Sequence, residues 1–414
     1  MQSRIIAAAL VATLGAAACS GEREWSGTVA DSAGVEIVSN SERGIWGPGD
    51  AWTLVEELRI GAVESEPEYQ FGQVGFIAVG SDGRIFVVDM QGQHVKVFAS
   101  DGTYERTVGG PGGGPGEIGQ GVTFVLMGPG DTLLVPDMGN QRVNRYAPDG
   151  TSLGSFPMEL EKGLPMLWGA TADGVIVEQV RPLSLPERPA PDSMDAIIRI
   201  ATDGTVTDTL ARFASGGTLN LGGRSPEINL FSPEPAWDVT DELRVLYGVN
   251  DQYRISVYAE GGGLERIITK PFERIPVSDG DKDAFMGFIE RAWRDAGVPP
   301  DMIPRLRQMI NFGEFFPAFS GIQAGPRGTI WVQHFQSVGD LTEEQRRSFN
   351  PIEDIGAPDW DVFDARGRYL GVVTMPPRFA PRLFRDDKIY GVWRDELDVQ
   401  YVVRLGITGM QIED

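Results

Sequence analysis

The sequence predicts an all-β fold, a six-bladed β-propeller closed by an N-terminal strand, with a small helical insertion between blades four and five. Three observations lead there. A unit of four short strands recurs after 48 residues, and the last such unit ends one strand short while spare strands stand near the start of the chain. Gly and Pro, 53 and 28 of 414 residues, supply many turns without reaching the share typical of low-complexity chains.

The elements follow in order. Met1 to Arg4 carries one positive charge, Ile5 to Leu14 is apolar, and Gly15-Ala16-Ala17-Ala18 supplies small residues before Cys19, the pattern of a secretory leader over residues 1–18. The apolar run is too short to cross a hydrocarbon core of about 30 Å. Ala16-Ala17-Ala18-Cys19 resembles the lipobox of bacterial lipoproteins, with Ala where that motif prefers Leu. The resemblance implies that Cys19 is the lipidated mature N-terminus, that residues 19–32 are a tether, and that Ser20 sorts the protein to the outer membrane of a two-membrane bacterium. Cys19 is the only cysteine, so no disulfide forms within the chain.

Residues 33–414 then read as one propeller domain. Phe76 to Val79, Arg84 to Asp89, Gln93 to Phe98 and Tyr104 to Val108 are the strands of the first unit. Asp89, His94 and Asp101-Gly102 recur 48 residues later as Asp137, Arg142 and Asp149-Gly150. Weaker copies run from Gly169 to Leu210, Trp237 to Ile268 and Ile322 to Val373, and the sixth, Leu383 to Leu405, lacks a strand. Val35 to Val38 or Trp52 to Leu58 can supply it, which removes the free edge of the last blade. In the insertion, expected over about residues 278–312, Phe285, Phe288, Ile289, Ala292 and Trp293 follow helical spacing after a Ser278-Asp279 cap. Gly297 with Pro299-Pro300 stops this helix, and Met302 to Ile310 reads as a second. Their apolar stripe is expected to pack on blades four and five.

The first two units, with Val87-Val88-Asp89-Met90-Gln91-Gly92-Gln93-His94-Val95 and Val135-Pro136-Asp137-Met138-Gly139-Asn140-Gln141-Arg142-Val143, resemble NHL repeats, and the whole resembles bacterial six-bladed propeller lipoproteins. That grouping implies architecture and little chemistry.

Asp-Gly hairpins fall between strands one and two or three and four, whereas the long insertions fall between strands two and three or between blades. All long insertions therefore decorate one face, and function is expected there. By repeat symmetry the second strands end at Asp89, Asp137, Glu178, Asn250, His334 and Arg394, and this ring, with Arg142, Arg181 and Trp331, is the candidate ligand site. A competing role for Asp89 and Asp137 is to hold backbone amides at the turn.

Other chemistries are weaker. Asp279, Asp281, Asp283 and Glu290 match an EF-hand loop at positions 1, 3, 5 and 12, but Ala284 replaces its glycine, so neither calcium nor any other cofactor is expected. Gly109 to Gly116 lacks the Lys-Ser/Thr ending of a phosphate loop and reads as a blade connection. Two histidines, His94 and His334, rule out a three-histidine zinc site. The net charge of −23, without a basic cluster, argues against nucleic acid. The expected protein is an exported, lipid-anchored monomer that binds a small polar ligand or an envelope protein. The alternative is a metal-assisted lactonase or lyase, since six-bladed propellers include gluconolactonase-like and streptogramin-lyase-like enzymes.

Overall fold

The computed structural model describes residues 24–410 apart from 65, 160–161, 185–193, 215–218, 221–227, 296, 338, 340 and 343–355. The leader and Cys19 lie outside the described residues. Six sheets form the ring, and each of the first five takes its four blade strands, antiparallel to one another, in chain order from the axis outward. Blade one is Val74–Val79, Ile85–Asp89, His94–Phe98 and Tyr104–Val108; blade two runs from Leu126–Gly128 to Ser152–Pro157. Blade three runs from Leu164–Ala170 to Val206–Ala214, blade four from Pro235–Val239 to Leu264–Thr269, and blade five from Gly321–Ala324 to Tyr369–Thr374. The first strands of blades one to five touch in succession around the axis, and that of blade six touches that of blade one.

Each blade is covered on both sides by its neighbours, so its inner strands are apolar throughout rather than alternating. Ile85–Asp89 is buried at every position, while the outer Tyr104–Val108 alternates. The core is divided among the seams between blades. Phe86, Val97, Leu133 and Tyr146 fill the first seam, and Trp331, Trp360, Val403 and Leu405 fill the one between blades five and six. A buried side chain of this size contributes roughly 1.5–3 kcal/mol. The hairpins repeat as well: Asp101, Asp149 and Asp203 each accept a hydrogen bond from the amide two residues on, at 2.9 Å. Gly150, at φ 88°, places its α-carbon against Val108 of the preceding blade, where a side chain would meet both strain and contact.

The closing strand is Thr53–Ile60, which pairs antiparallel with Gln400–Thr408 as the outer strand of blade six. The other candidate goes elsewhere. Val35–Ser39 lies parallel to Leu264–Thr269 and, with Thr28–Ser32, widens blade four to six strands. Part of the expected tether is thus a strand from Thr28 onward. Between these elements the chain crosses the rim of blade five, where Ile45 and Trp46 donate to the carbonyls of Tyr369 and Leu370. The N-terminal segment therefore straps blades four, five and six together.

The insertion contains helices Asp279–Asp295 and Ile303–Arg307. Ser278 and Asp281 cap the first reciprocally: the Ser278 hydroxyl accepts from the Asp281 amide at 3.1 Å, and Asp281 accepts from the Ser278 amide at 3.0 Å. Phe285, Met286 and Ile289 are buried, and Ala292 is exposed. The stripe packs on Phe231 and Phe312 rather than directly on the blade sheets, because strands Ile228–Leu230 and Ile310–Phe312 pair beneath it. Among the described residues no helix is long and apolar enough to cross a membrane.

Candidate functional site

The expected ring of polar residues does not converge. Cross-strand register aligns Asp89 with Asp137 and His334, but Val180, Val249 and Trp393 occupy the equivalent step in blades three, four and six. The first strands, not the second, surround the axis. Asp89, 4% exposed, accepts hydrogen bonds from the amides of Gly72, Gln73 and Gly92. Asp137, fully buried, does the same for Gly119 and Asn140. Asn250 receives the Glu234 amide and donates to the Phe319 carbonyl. These three side chains clasp the connection entering a blade to its second strand.

The remaining candidates are also engaged. Arg142 donates to the carbonyls of Gly113, Gly114 and Glu117, holding the glycine-rich connection. Arg181 pairs with the buried Asp195 at 2.9 Å. Trp331 is fully buried against Trp52 and Phe384, which removes it from any ligand surface. Arg394 lies 3.9 Å from Asp398. Glu178 is buried in the seam between blades two and three, and burial pushes its carboxyl up to about 7. In the EF-hand-like run, Asp281 serves as a cap and Glu290 pairs with Arg294 and Arg307. Among the described residues no three His, Cys, Asp or Glu side chains come together as a metal set.

His334 alone leads to a cavity. Its Nε2 lies 3.1 Å from Oδ1 of Asp361, a fully buried carboxylate on the third strand of blade five. Lys270 donates to Asp361 at 2.7 Å, and the hydroxyls of Tyr253 and Tyr369 donate at 2.6 and 2.7 Å. Burial alone would raise the Asp361 pKa; the His334 and Lys270 contacts outweigh it and hold the carboxyl well below the usual carboxylate range. The Lys270 ammonium stands over the Tyr369 ring at 4.1 Å. Burial and the neighbouring Asp361 push the Tyr253 hydroxyl far up, so it stays a donor.

Sequence reading missed Asp361, although a signal exists. Lys96, Asn144 and Asp361 occupy the same step of the third strand in blades one, two and five, opposite Val87, Val135 and Val332. In the first two blades that buried polar group is consumed largely by the entering connection: Lys96 donates to the carbonyls of Pro67 and Gln70, and Asn144 to that of Glu117 and to the Asp137 carboxylate that holds the same connection. In blade five the same position holds side chains instead, and these line a cavity of about 230 Å³. Its apolar wall is Phe272, Ile275, Phe316 and Phe335, contributed by the segments flanking the insertion and by the end of the second strand. This is the face that carries the long insertions. A larger cleft of about 840 Å³ lies in blade six on that face, where Arg59 stacks on Trp393 and is bound by Glu56.

A family model described as a 6-bladed beta-propeller matches residues 62–159, which contain blades one and two. No curated protein matches the chain. Among solved structures, a protein of Bacteroides fragilis described as exported is 11% identical, with 90% of this chain and 99% of that one covered at a TM-score of 0.53. A member of the DUF4221 family from Bacteroides vulgatus is 12% identical over 87% of this chain and 98% of that one, also at 0.53. A gluconolactonase from Xanthomonas campestris, 11% identical over 86% of this chain and 100% of that one, superposes at only 0.40. The likeness to the two Bacteroides proteins shows a shared fold alone and transfers no chemistry.

Proposed function

We propose that this propeller is an exported, lipid-anchored binding module of the cell envelope, and that its ligand enters the cavity between blades four and five. One observation carries the site: a buried carboxylate fixes Lys270 and His334 at the polar end of a cavity whose other wall is apolar. Such a combination of an apolar lining and a few convergent polar groups is what small-molecule sites share. Export is supported by the leader-like N-terminus and by the exported description of the Bacteroides fragilis protein, and anchoring by the lipobox-like run ending at Cys19. The NHL-like character of the first two units adds a repeat architecture that commonly presents ligands and partners on one face.

Fragment soaking of the purified full chain tests the site. Ile275 is 54% exposed at the cavity rim, so Ile275→Trp blocks the entrance with little effect on the core. Fragments are expected to bind in this cavity and to be lost in that variant; binding elsewhere, or unchanged binding in Ile275→Trp, rejects the site. Cys19→Ala is expected to move the protein from the membrane fraction to the soluble one, and unchanged fractionation rejects the anchor.

The enzymatic reading draws on the same place, because an imidazole held by a carboxylate can move protons. In its metal-assisted form, calcium at millimolar concentration should raise the melting temperature, and an unmoved melt counts against it.

A further inference from the structure

We infer that the ligand of the cavity between blades four and five is a small carboxylate with a single-ring or similarly compact apolar body. The inference rests on the cavity being a binding site and adds the chemical class of what binds.

The polar end decides the head group. Asp361 is fully buried and accepts from three donors, Lys270, Tyr253 and Tyr369, with His334 Nε2 3.1 Å away, so its charge is spent inside the wall. What the wall turns toward the cavity is the donor side of that cluster. The Lys270 ammonium makes a single hydrogen bond among the described residues, to Asp361 Oδ2, and an ammonium carries three N–H groups. The rings of Tyr369 and Tyr253, at 4.1 and 5.5 Å, cover part of it but accept no conventional hydrogen bond. His334 Nε2 is buried 3.1 Å from Asp361 without completing a hydrogen bond, and Nδ1 makes none among the described residues.

Among the described residues no other group of the wall accepts a hydrogen bond from these donors. Ser337, the other polar side chain on that side, accepts from the Gly339 amide at 3.1 Å and makes no hydrogen bond with Lys270 or His334 among the described residues. An acceptor must therefore arrive with the ligand. A carboxylate supplies two oxygens and a charge opposite to the ammonium, making the stronger, charge-assisted kind of hydrogen bond. The apolar body follows from Phe316 and Phe335, whose rings stand 5.3 Å apart, with Phe272 and Ile275 beside them. A volume of about 230 Å³ limits that body, since drug-sized ligands usually occupy roughly 300–1,000 Å³.

The test compares phenylacetate with its neutral analogue phenylacetamide by calorimetry on the full chain. Phenylacetate is expected to bind at least about tenfold more tightly, the difference a charge-assisted hydrogen bond makes. Lys270→Met is expected to abolish that preference. Because that change leaves Asp361 without its cation, the double variant Lys270→Met/Asp361→Asn, which removes both charges, is measured beside it, with the melt of each checked. The comparison on the unmodified protein needs no variant at all. Equal binding of the two compounds overturns the carboxylate inference while leaving the cavity a binding site. Failure of phenylacetate while fragments with other head groups occupy the cavity overturns it too. If no fragment of any class binds there, the binding-site reading itself falls.

Discussion

The Glu178 carboxyl, on the second strand of blade three, is 8% exposed. Its cross-strand neighbours Trp168 and Ile198 belong to the apolar seam between blades two and three, and Lys162 eases its charge only in part. Desolvation raises it from the ordinary 4.5 to about 7. The folded chain thus holds this proton more tightly than the unfolded one, so the group's contribution is full below about 4.5 and is lost as pH rises through about 7. Glu178→Gln keeps the shape without the charge. It is expected to melt like the parent near pH 4.5 and to gain on the order of 2–3 kcal/mol by pH 8. Denaturation of both proteins across that range checks it, and a constant difference would mean that the carboxyl is solvated. Residues with local roles were readable in the sequence: Asp89 and Asp137 hold turn amides within a few positions, as Asp in such turns does. Asp361 was not, because its partners Tyr253 and Lys270 come from another blade and no spacing announces them.

At the scale of elements, the insertion shows how far periodicity reaches. The helix Asp279–Asp295 and its Ser278 cap follow from local signals. The surface that receives it does not, because Phe231 lies 48 positions before the start of the helix at Asp279, in the connection between blades three and four. Its ring stands 5.2 Å from Phe285, 5.7 Å from Phe312, 5.0 Å from Phe316 and 5.8 Å from Phe335, at a backbone φ of 56°. Those rings outweigh the cost of the left-handed conformation, about 1–3 kcal/mol for a residue other than glycine. Phe231→Ala should cost roughly 3–5 kcal/mol locally. Amide exchange over residues 279–295 is expected to accelerate while the inner strands stay protected. Uniform acceleration would show instead that the insertion is part of the ring's cooperative unit. Two cavity walls, Phe316 and Phe335, touch this ring, so the variant should also weaken any ligand of the cavity.

For the whole molecule, the number of blades was legible because a ring repeats its unit, and the shortfall of one strand in the last unit was legible for the same reason. Which N-terminal strand closes the ring was not. Val35–Ser39 and Thr53–Ile60 both carry strand-forming residues, and the choice is made by tertiary reach: the outer strand of blade four offers an edge to the first, and Gln400–Thr408 offers one to the second. The two strands consequently differ in what they hold. Val38 is fully buried, but no seam depends on the first hairpin, and Asn40 beyond it still bonds the carbonyls of Thr269 and Gly367. Ile60, 2% exposed, belongs to the seam between blades six and one, and Leu58 packs against that seam. Deleting residues 28–39 from the full chain is therefore expected to lower the melting temperature by a few degrees, in line with the loss of about one buried aliphatic side chain. Deleting residues 28–60 removes the outer strand of the last blade and one wall of a seam, and it should abolish the cooperative melt altogether. Calorimetry of the two deletions side by side separates a peripheral hairpin from a closure: a cooperative transition in the longer deletion would show that the six blades hold together without the strand that joins the first to the last.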